Sequence, residues 1–458
     1  MRSTLFHIPA EVAGLPVFGY GLLLALWAVA SVALLAWLVR RQGFNADTRG
    51  YLPVLVVMGL VIAYLLPAIS DRQGLPIRGY GIMLLVAVVS GVALAMYRAR
   101  RMGVDPELIM SLAFWIFVGG IVGGRMFFVI EYWDRDFSPS AVARQMKNVP
   151  LDPRDIGDKS AASPAIESRP APSSSSAIRG SIGRILRLDT GGLVIYGALL
   201  VGGLFVVIFI RKYHVPGLAL TDLIAPSVVL GLGIGRLGCF LNGCCFGGPC
   251  DLPWAVTFPA GSPPHEQQIR LGQVYGLLIV GDAEHRPVIG IVEAYTPAAG
   301  VGLKAGDLIL SIDGHNTAKL DDAQEELRAA FAPDRALELT TARGIHRLQP
   351  MPGTYEHSRP VHPTQLYSAI DAFILCAFLL AYYPYRRRDG EVTALTLSIH
   401  PITRFLLEVI RTDEGPVFGT GLSISQNISL LILGGAIVLW IYLSRQPRGS
   451  VWPPTADT

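Results

Sequence analysis

Apolar runs long enough to cross a membrane recur along this chain, and they constrain its fold more than any other feature. A helix needs about 20 residues to cross the hydrocarbon core of a bilayer. A lone strand there would leave its backbone N–H and C=O groups without partners, so each run is expected to be a helix. Nine candidate spans can be counted, at residues 18–39, 52–70, 79–97, 108–131, 191–210, 222–243, 365–384, 391–410 and 427–444.

The composition agrees with a membrane protein. Of 458 residues, 51% are hydrophobic and only 16% are charged, which is more apolar than a soluble domain needs. The net charge is +3 without a basic stripe, so nucleic acid is not an expected partner. The first apolar run is long and follows a polar segment, so we expect it to stay in the mature protein rather than to be cleaved as a signal peptide.

Short positive clusters follow alternate spans and predict the orientation. The clusters are Arg40-Arg41, Arg98 with Arg100-Arg101, Arg211-Lys212, Arg386-Arg387-Arg388, and Arg445 with Arg448. The positive-inside rule places all five in the cytoplasm. We therefore expect the N-terminus and the long segments 132–190 and 245–363 outside, and the C-terminus inside.

Two stretches are predicted to lie outside the membrane. Residues 137–182 are rich in proline and contain a serine run at 173–176, which predicts a disordered external loop. Residues 266–350 have the pattern of a small α/β domain, with strands at 288–293 and near 336–341 and an amphipathic helix at 320–331.

The second stretch resembles a bacterial PDZ domain. The residues that match the PDZ core pattern are Gly302, Leu303, Gly306, Asp307, Ile309, Ile312, Asp313 and Gly314. PDZ domains commonly bind an extended chain at a sheet edge. Binding of a peptide ligand and a purely bracing role both stay open.

Charged residues within membrane spans are usually functional, since placing each one at bilayer depth costs about 2.5–3.5 kcal/mol on insertion scales. The candidates are Arg125, Arg236, Arg404 and Glu408. Arg236 lies in a glycine-rich run at 231–238, where a lipid headgroup could approach closely, and its charge suits a phosphate. Arg404 and Glu408 are four apart and can pair on one helix face, so a structural ion pair is the alternative reading.

The motifs together resemble those of the prolipoprotein diacylglyceryl transferase family. They occur in the family's order from residue 78 onward, interrupted by the PDZ-like insertion. The matching segments are RGYG at 78–81, GGR at 123–125, GG at 191–192, Asp222 with Pro226, GIGRLGCFLNG at 233–243, PWAVTFP at 253–259, HPTQLY at 362–367 and RFLLE at 404–408.

The resemblance implies a reaction and a site. Phosphatidylglycerol would give its diacylglyceryl group to the lipobox cysteine of a preprolipoprotein, forming a thioether and releasing glycerol phosphate, with both substrates entering from the bilayer. By position, Arg236 matches the headgroup arginine and Arg404 the other essential arginine, with Glu408 beside it. Further positions that match or adjoin the family's motifs are Tyr80, Arg125, Asn242, Gly247, His362, Gln365 and Tyr367.

Several residues depart from the family's pattern close to this site. Tyr196 stands where the family usually has a histidine regarded as a base, and His400 stands where it tends to have tyrosine. Cys239 and Cys244 replace the usual Asn and Glu. We hypothesise that His400 and Tyr196 have exchanged roles, so that His400, whose imidazole is tunable around neutral pH, assists deprotonation of the thiol.

Four cysteines cluster near the outer end of one span, and the fifth, Cys376, is alone in another. In an oxidising compartment a disulfide among Cys239, Cys244, Cys245 and Cys250 is favoured. Free buried thiols and metal binding are the alternatives, the latter disfavoured because a repeated C-x-x-C pattern is missing. We expect no cofactor and no metal.

The sequence thus predicts an all-α polytopic protein of the bacterial inner membrane with an inserted PDZ-like periplasmic domain. The parts are extra N-terminal helices (1–77), a membrane core in two pieces (78–265 and 351–445), the insertion (266–350) and a cytoplasmic tail (446–458). Rival readings are a divergent or inactive paralogue and a non-catalytic scaffold. A membrane protease is disfavoured because H-E-x-x-H and G-x-S-x-G are both missing.

Overall fold

The computed structural model describes residues 4–12, 14–43, 46–70, 74–133, 137–138, 195–332, 335–411, 416–417 and 419–452. Within them the chain is mostly helical. The predicted loop at 137–182 lies almost wholly outside the described residues, and so does the Gly191-Gly192 motif.

The structure has long helices, short helices and short strands. The helices are α1 (Leu22–Gln42), α2 (Ala46–Leu60), α3 (Leu66–Ile69), α4 (Gly79–Arg101), α5 (Pro106–Glu131), α6 (Ile195–Tyr213), α7 (Gly217–Asn242), α8 (Pro263–Arg270), α9 (Pro297–Gly300), α10 (Leu320–Ala330), α11 (Thr364–Tyr382), α12 (Glu391–Ile410) and α13 (Ile424–Ser444). The strands are β1 (Thr4–Ile8), β2 (Glu11–Val12), β3 (Leu15–Pro16), β4 (Leu75–Arg78), β5 (Leu277–Gly281), β6 (Pro287–Val292), β7 (Ile309–Ile312), β8 (His315–Asn316), β9 (Leu337–Thr341), β10 (Gly344–Leu348), β11 (Pro416–Val417) and β12 (Leu422–Ser423).

Within the described residues, seven helices are long and apolar enough to cross a membrane. They are Leu22–Arg41, Gly79–Arg101, Pro106–Glu131, Gly217–Asn242, Thr364–Tyr385, Glu391–Ile410 and Ile424–Ser444. The chain is a polytopic membrane protein. The predicted spans at 52–70 and 191–210 are not among the seven, because the first is broken by a π-helical turn at Val61–Leu65 and the second begins outside the described residues. Nine spans therefore stay a prediction.

The N-terminal part differs from the all-α expectation. Strand β1 pairs antiparallel with β4, and β2 pairs with β3. Proline explains the extended backbone, because Pro9, Pro16 and Pro76 disfavour helix in the residues that precede them. A further short pair, β11 with β12, precedes α13.

Two compact units divide the chain. One comprises Leu94–Thr221 and Val451–Thr458, and its centre is the pair α5 and α6. These helices touch backbone to backbone, because a Cβ added at Gly123 would lie 2.3 Å from the carbonyl oxygen of Gly197. Such close contact between membrane helices requires small residues.

The other unit comprises Met1–Ala93 and Asp222–Ser450 and carries most of the predicted site. Its helices α7 and α11 are packed tightly, because a Cβ at Gly233 would lie 2.7 Å from the ring of Phe373. Asp222, near the start of α7, is fully buried and accepts hydrogen bonds from the backbone N–H groups of Gly390 (2.7 Å) and Thr393 (2.8 Å). This carboxylate therefore caps the first turn of α12.

The inserted segment contains strands and helices of its own. Strands β5 and β6 form one sheet, and β10-β9-β7-β8 form a second. Helix α10 and strands β6 and β9 lie at the predicted positions. Its buried core runs from Ile269 to Leu348, within the predicted bounds.

The two ends of the insertion leave the membrane core side by side. Backbone bridges join Val256 to Val361 and Pro259 to His357 in antiparallel fashion. The N–H of Ala260 also donates to the carbonyl of Glu356 at 2.8 Å. This short ladder brings together sequence motifs that the insertion separates.

Candidate active site

Arg236 lies near the end of α7, where glycine residues allow α7 and α4 to pack closely. A Cβ at Gly238 would lie 3.1 Å from the Cβ of Met83 and 3.3 Å from the ring of Tyr80, so a larger residue would make α4 shift by a few tenths of an ångström. Tyr80 therefore lies against α7 half a turn beyond Arg236, with 41% of its surface exposed. Electrostatic interactions join Tyr80 to Arg236.

The Arg236 guanidinium has an unusual environment. Its Nε is buried, and in the part of the chain that the structure describes no acceptor reaches it. A buried donor without a partner is costly, by about 1–3 kcal/mol or more for a charged group. An anion at this position would remove that cost, so the geometry is that of a ligand site.

Arg404 and Glu408 form the ion pair that their spacing predicts, and a second arginine joins them. Arg404 contacts Glu408 through a guanidinium–carboxylate bond, and Arg411 Nη1 lies 3.1 Å from the same carboxylate oxygen. Arg404 also donates to Ser425 Oγ at 2.9 Å. Glu408 is 5% exposed, so this carboxylate holds two guanidiniums together in a buried place.

The start of α13 completes this network. Ser423 is its N-cap and forms a capping box with Gln426, in which Gln426 N–H donates to Ser423 Oγ at 3.2 Å. The Ser423 hydroxyl in turn donates to the second carboxylate oxygen of Glu408, Oε1, at 3.2 Å. Local capping chemistry thus fixes the carboxylate that orients both arginines.

His400 lies one turn before Arg404 on α12 and is half-buried. Its Nδ1 is buried and makes no hydrogen bond within the described segments. Electrostatic interactions connect the ring to Asp371, Arg236 and Arg404. Asp371 itself accepts from the hydroxyl of Thr403 at 2.8 Å, which ties α11 to α12 beside the imidazole.

A glycine segment lies between two of the predicted motifs. Gly247 N–H donates to the carbonyl of His362 at 3.0 Å, and Gly248 N–H donates to the carbonyl of Ile410 at 3.0 Å. A Cβ at Gly247 would lie 2.7 Å from the Cβ of His362, so a larger residue would push these two segments apart. Backbone pairing therefore draws the HPTQLY motif and the end of α12 to the loop after α7.

The HPTQLY motif supplies both structure and polar groups. Gln365 donates to the carbonyl of Cys244 and Thr364 to that of Cys245, each at 2.7 Å. The hydroxyl of Tyr367 accepts from Trp254 Nε1 at 2.7 Å and lies 3.4 Å from His362 Nδ1. The Oε1 of Gln365 is buried and has no partner in the described parts of the chain.

Not all predicted site residues belong to this constellation. Arg125 is in the other unit, where it is buried and its guanidinium lies 5.4 Å from the ring of Phe128 and 5.5 Å from that of Phe137. Tyr196 lies in the first turn of α6, where the structure describes the backbone alone. Asn242 is the last residue of α7 and is half-buried. The roles predicted for these three residues stay predictions.

Sequence analysis missed three residues that the fold adds. The ion pair of Arg411 could have been predicted, because Arg411 follows Glu408 by three residues and residues at this spacing can pair. Asp371, an acid inside an apolar span, could also have been predicted, since such residues are usually functional. Trp254 lies in the PWAVTFP motif, but that motif does not indicate its contact with Tyr367, because the contact crosses the insertion.

The favoured disulfide is absent: all five cysteines are free thiols. Cys239, Cys244 and Cys245 do lie together, with their sulfur atoms within 4.8 Å of one another. Cys250 is not part of that group, because its backbone is held by the carbonyl of Pro360.

The site as a whole favours anions. Arg236, Arg404 and Arg411 face two carboxylates, Glu408 and Asp371, which leaves one positive charge in excess. The fold and this site define a polytopic membrane protein with a cluster of arginines and carboxylates between its helices.

Comparison with known proteins identifies the family. The family model for prolipoprotein diacylglyceryl transferase matches residues 67–149 and 177–442. The chain belongs to the prolipoprotein diacylglyceryl transferase family and is therefore an enzyme, a transferase.

Three relatives share this assignment, and each is named a phosphatidylglycerol–prolipoprotein diacylglyceryl transferase. The protein from Rhodopirellula baltica is 32% identical over 96% of this chain and 88% of its own length. That from Nostoc sp. is 30% identical over 88% of this chain and 99% of its own length. That from Clostridium tetani is 26% identical over 80% of this chain and 93% of its own.

Proposed function

We propose that this protein transfers the diacylglyceryl group of phosphatidylglycerol to the lipobox cysteine of preprolipoproteins. The observation that carries the proposal is the buried Arg236 Nε without an acceptor, beside the arginine pair that Glu408 organises. A phosphodiester is the anion that this substrate would present there.

The reaction needs a thiolate and a stabilised leaving group. The thiolate sulfur attacks the glyceryl carbon that bears the phosphate, the C–O bond breaks, and its electron pair leaves on glycerol phosphate. Arg236 binds the phosphate in the ground state and neutralises the charge that grows on the departing oxygen. Arg404 and Arg411, held by Glu408, add to the same positive field.

His400 is the candidate base. Its partnerless Nδ1 can accept the thiol proton, and Asp371 is close enough to stabilise the imidazolium that results. Tyr80, Asn242, Gly247, His362, Gln365 and Tyr367 would surround the headgroup and the signal peptide. For Arg125 the motif match alone supports a role. For Tyr196, which stands where the family usually has histidine, its position alone supports one.

The chain would lie in the bacterial inner membrane with its site facing out. The positive clusters support a cytoplasmic C-terminus and an external N-terminus. The inserted domain would then be periplasmic. Its GLxxGD pattern and its two antiparallel sheets support a PDZ-like domain that binds an extended peptide.

The test is transfer from labelled phosphatidylglycerol to a lipobox peptide by the full chain reconstituted in lipid. The wild type should form a thioether product, and Arg236→Ala should reduce the rate about 100- to 1000-fold, the usual cost of losing one charge-stabilising donor. Arg286→Ala is the matched control, because that arginine is 53% exposed on the inserted domain.

Other results would favour the rival functions. A folded wild type that forms no product would indicate a divergent paralogue with another donor or acceptor. Unchanged function in cells after Arg236→Ala and Arg404→Ala would favour a non-catalytic scaffold.

A further inference from the structure

Three cysteine thiols converge beside Arg236, although the sequence separates them. Cys239 lies in the last turn of α7, and the chain reverses after the helix through two left-handed residues, Gly243 (φ 75°) and Cys245 (φ 60°). This turn points Cys244 and Cys245 back at Cys239, so that all three sulfur atoms lie within 4.8 Å of one another. A left-handed backbone is uncommon for cysteine and costs energy, so the surroundings must hold it.

The surroundings do hold this turn. The carbonyls of Cys244 and Cys245 accept from Gln365 and Thr364 of α11, each at 2.7 Å, and Cys244 Sγ lies 3.7 Å from the carbonyl of Cys239. Three side chains are thus presented by a rigid helix end and a loop tied at both of its cysteines. Preorganisation of this kind is what a ligand set requires.

The donor set selects a thiophilic cation. Four ligands at about 2.3 Å from zinc lie about 3.8 Å from each other in a tetrahedron, so sulfur atoms within 4.8 Å need little movement. The three residues are half-buried, and among the described histidine, cysteine and acidic residues no fourth joins the group. Three protein ligands with one open position are typical of catalytic rather than structural zinc.

The positive side chains near the three cysteines also suit a bound Zn²⁺ with three thiolate ligands. Three thiolates and Zn²⁺ carry a net charge of −1. Arg236 and Arg411 both interact electrostatically with Cys245 and would balance this charge. All three half-buried thiols also interact electrostatically with Tyr80, close to where the substrates are expected.

We propose that Cys239, Cys244 and Cys245 bind one Zn²⁺, and that its open position takes the acceptor cysteine of the lipoprotein precursor as a thiolate. This inference rests on the proposed transferase function. The acceptor thiol loses its proton to His400 as its sulfur binds the metal. The bound sulfur then attacks the glyceryl carbon, the C–O electron pair leaves with glycerol phosphate, and the neutral thioether dissociates from zinc.

Metal binding is measured first, without any activity assay. The full chain, purified in reducing buffer, is analysed for zinc by mass spectrometry and is loaded with Co²⁺ as a spectroscopic substitute. We expect one zinc per chain and a sulfur-to-cobalt charge-transfer band. Cys239→Ser and Cys245→Ser should each lose both signals, while Cys250→Ser, a nearby cysteine outside the cluster, should keep them.

The open position is tested by a peptide. Adding a lipobox peptide should shift the cobalt spectrum, and the same peptide with its cysteine replaced by serine should not. Transfer by the zinc-depleted enzyme should fall by about 100-fold or more, the size of a general-base contribution, and return when zinc is added.

The outcomes separate the two proposals. Absence of bound zinc, binding of Cu⁺ alone, or a disulfide within the cluster would each overturn the zinc site and leave the transferase function intact. Full transfer by metal-free enzyme would overturn the acceptor role of the metal. A cobalt spectrum that ignores the cysteine peptide would overturn the acceptor role. Zinc binding with a normal peptide response but no transfer from phosphatidylglycerol would instead contradict the proposed function.

Discussion

At the scale of single residues, the site depends on a few buried charges that hold one another. Glu408 is the centre, because Arg404, Arg411 and Ser423 all contact its carboxylate. Removing one partner of a buried ion pair typically costs about 3–5 kcal/mol, since an uncompensated charge is left behind. Here two guanidiniums would be left close together.

Glu408→Gln is therefore expected to be severe, although it changes the side-chain shape very little. Transfer should fall at least tenfold, and the midpoint of thermal unfolding should drop, because both arginines lose their anion. Both are measured on protein reconstituted in lipid. Glu284→Gln, at a carboxylate that is 65% exposed, should leave both values unchanged. Normal activity of Glu408→Gln would show that the pair is dispensable.

His400→Ala tests the proposed base. We expect transfer to fall about 100-fold near neutral pH, the lower end of a general-base contribution. Its rate should then rise with pH as hydroxide replaces the imidazole, and a pH–rate profile measures this. His315→Ala is the control, since that ring is 69% exposed on the inserted domain. A fully active His400→Ala enzyme would rule out the role.

At the scale of helices, single polar contacts across helices set how the spans align. Asp222 of α7 caps α12, the helix that carries His400, Arg404 and Glu408. The Thr393 hydroxyl donates to the same carboxylate at 2.7 Å. The cap at the start of α12 thus helps to fix the position of the whole helix, and with it the position of the site residues near its end.

Asp222→Asn should lower the free energy of unfolding by about 1–2 kcal/mol, because the amide offers the cap one fewer acceptor. Activity should fall only as the folded fraction falls, which distinguishes a cap from a site residue. Thermal unfolding and transfer are compared with those of Asp251→Asn, at an exposed aspartate. Loss of transfer at unchanged stability would argue against the cap.

The sequence predicts a helix or a contact well where the residues that form it are close together in the chain. Apolar length predicts α4, α5, α7, α11, α12 and α13, and the spacing of Arg404 and Glu408 predicts their ion pair. The cap by Asp222 and the contact of Trp254 with Tyr367 join residues more than 100 positions apart, so no local pattern contains them. The arrangement of the cysteines could not be predicted for a related reason: the left-handed residues Gly243 and Cys245 turn the chain back on α7, and no local pattern in the sequence indicates that turn.

At the scale of the whole molecule, the inserted segment has a hydrophobic core made of its own residues. Its core residues all lie between Ile269 and Leu348. The chain enters and leaves it through paired backbone at Pro259 and His357. A domain with its own core and adjacent ends is expected to fold alone.

Residues 260–357 expressed by themselves should therefore unfold cooperatively and give a dispersed amide spectrum. Ile312→Asp, at a fully buried position, should abolish both properties. Ile345→Asp, at a position that is 65% exposed, should preserve them. A spectrum without dispersion for the wild-type fragment would show that the domain depends on the membrane core.

The backbone ladder at the two ends of the insertion also affects the order in which the protein is assembled during synthesis. The bridge between Val256 and Val361 cannot form until Val361 has been synthesised, and the bond from Gly248 N–H needs the carbonyl of Ile410. Roughly 100 residues or more are therefore made between the two partners of each contact. At bacterial synthesis rates of about 5–20 residues per second, that is a delay of about 5–20 s or longer. During it Arg236 is already in place while its partners in the site are not yet made. The catalytic centre is thus among the last parts of the newborn chain to be assembled, and a ribosome that stalls within the insertion leaves a membrane-embedded half without a site.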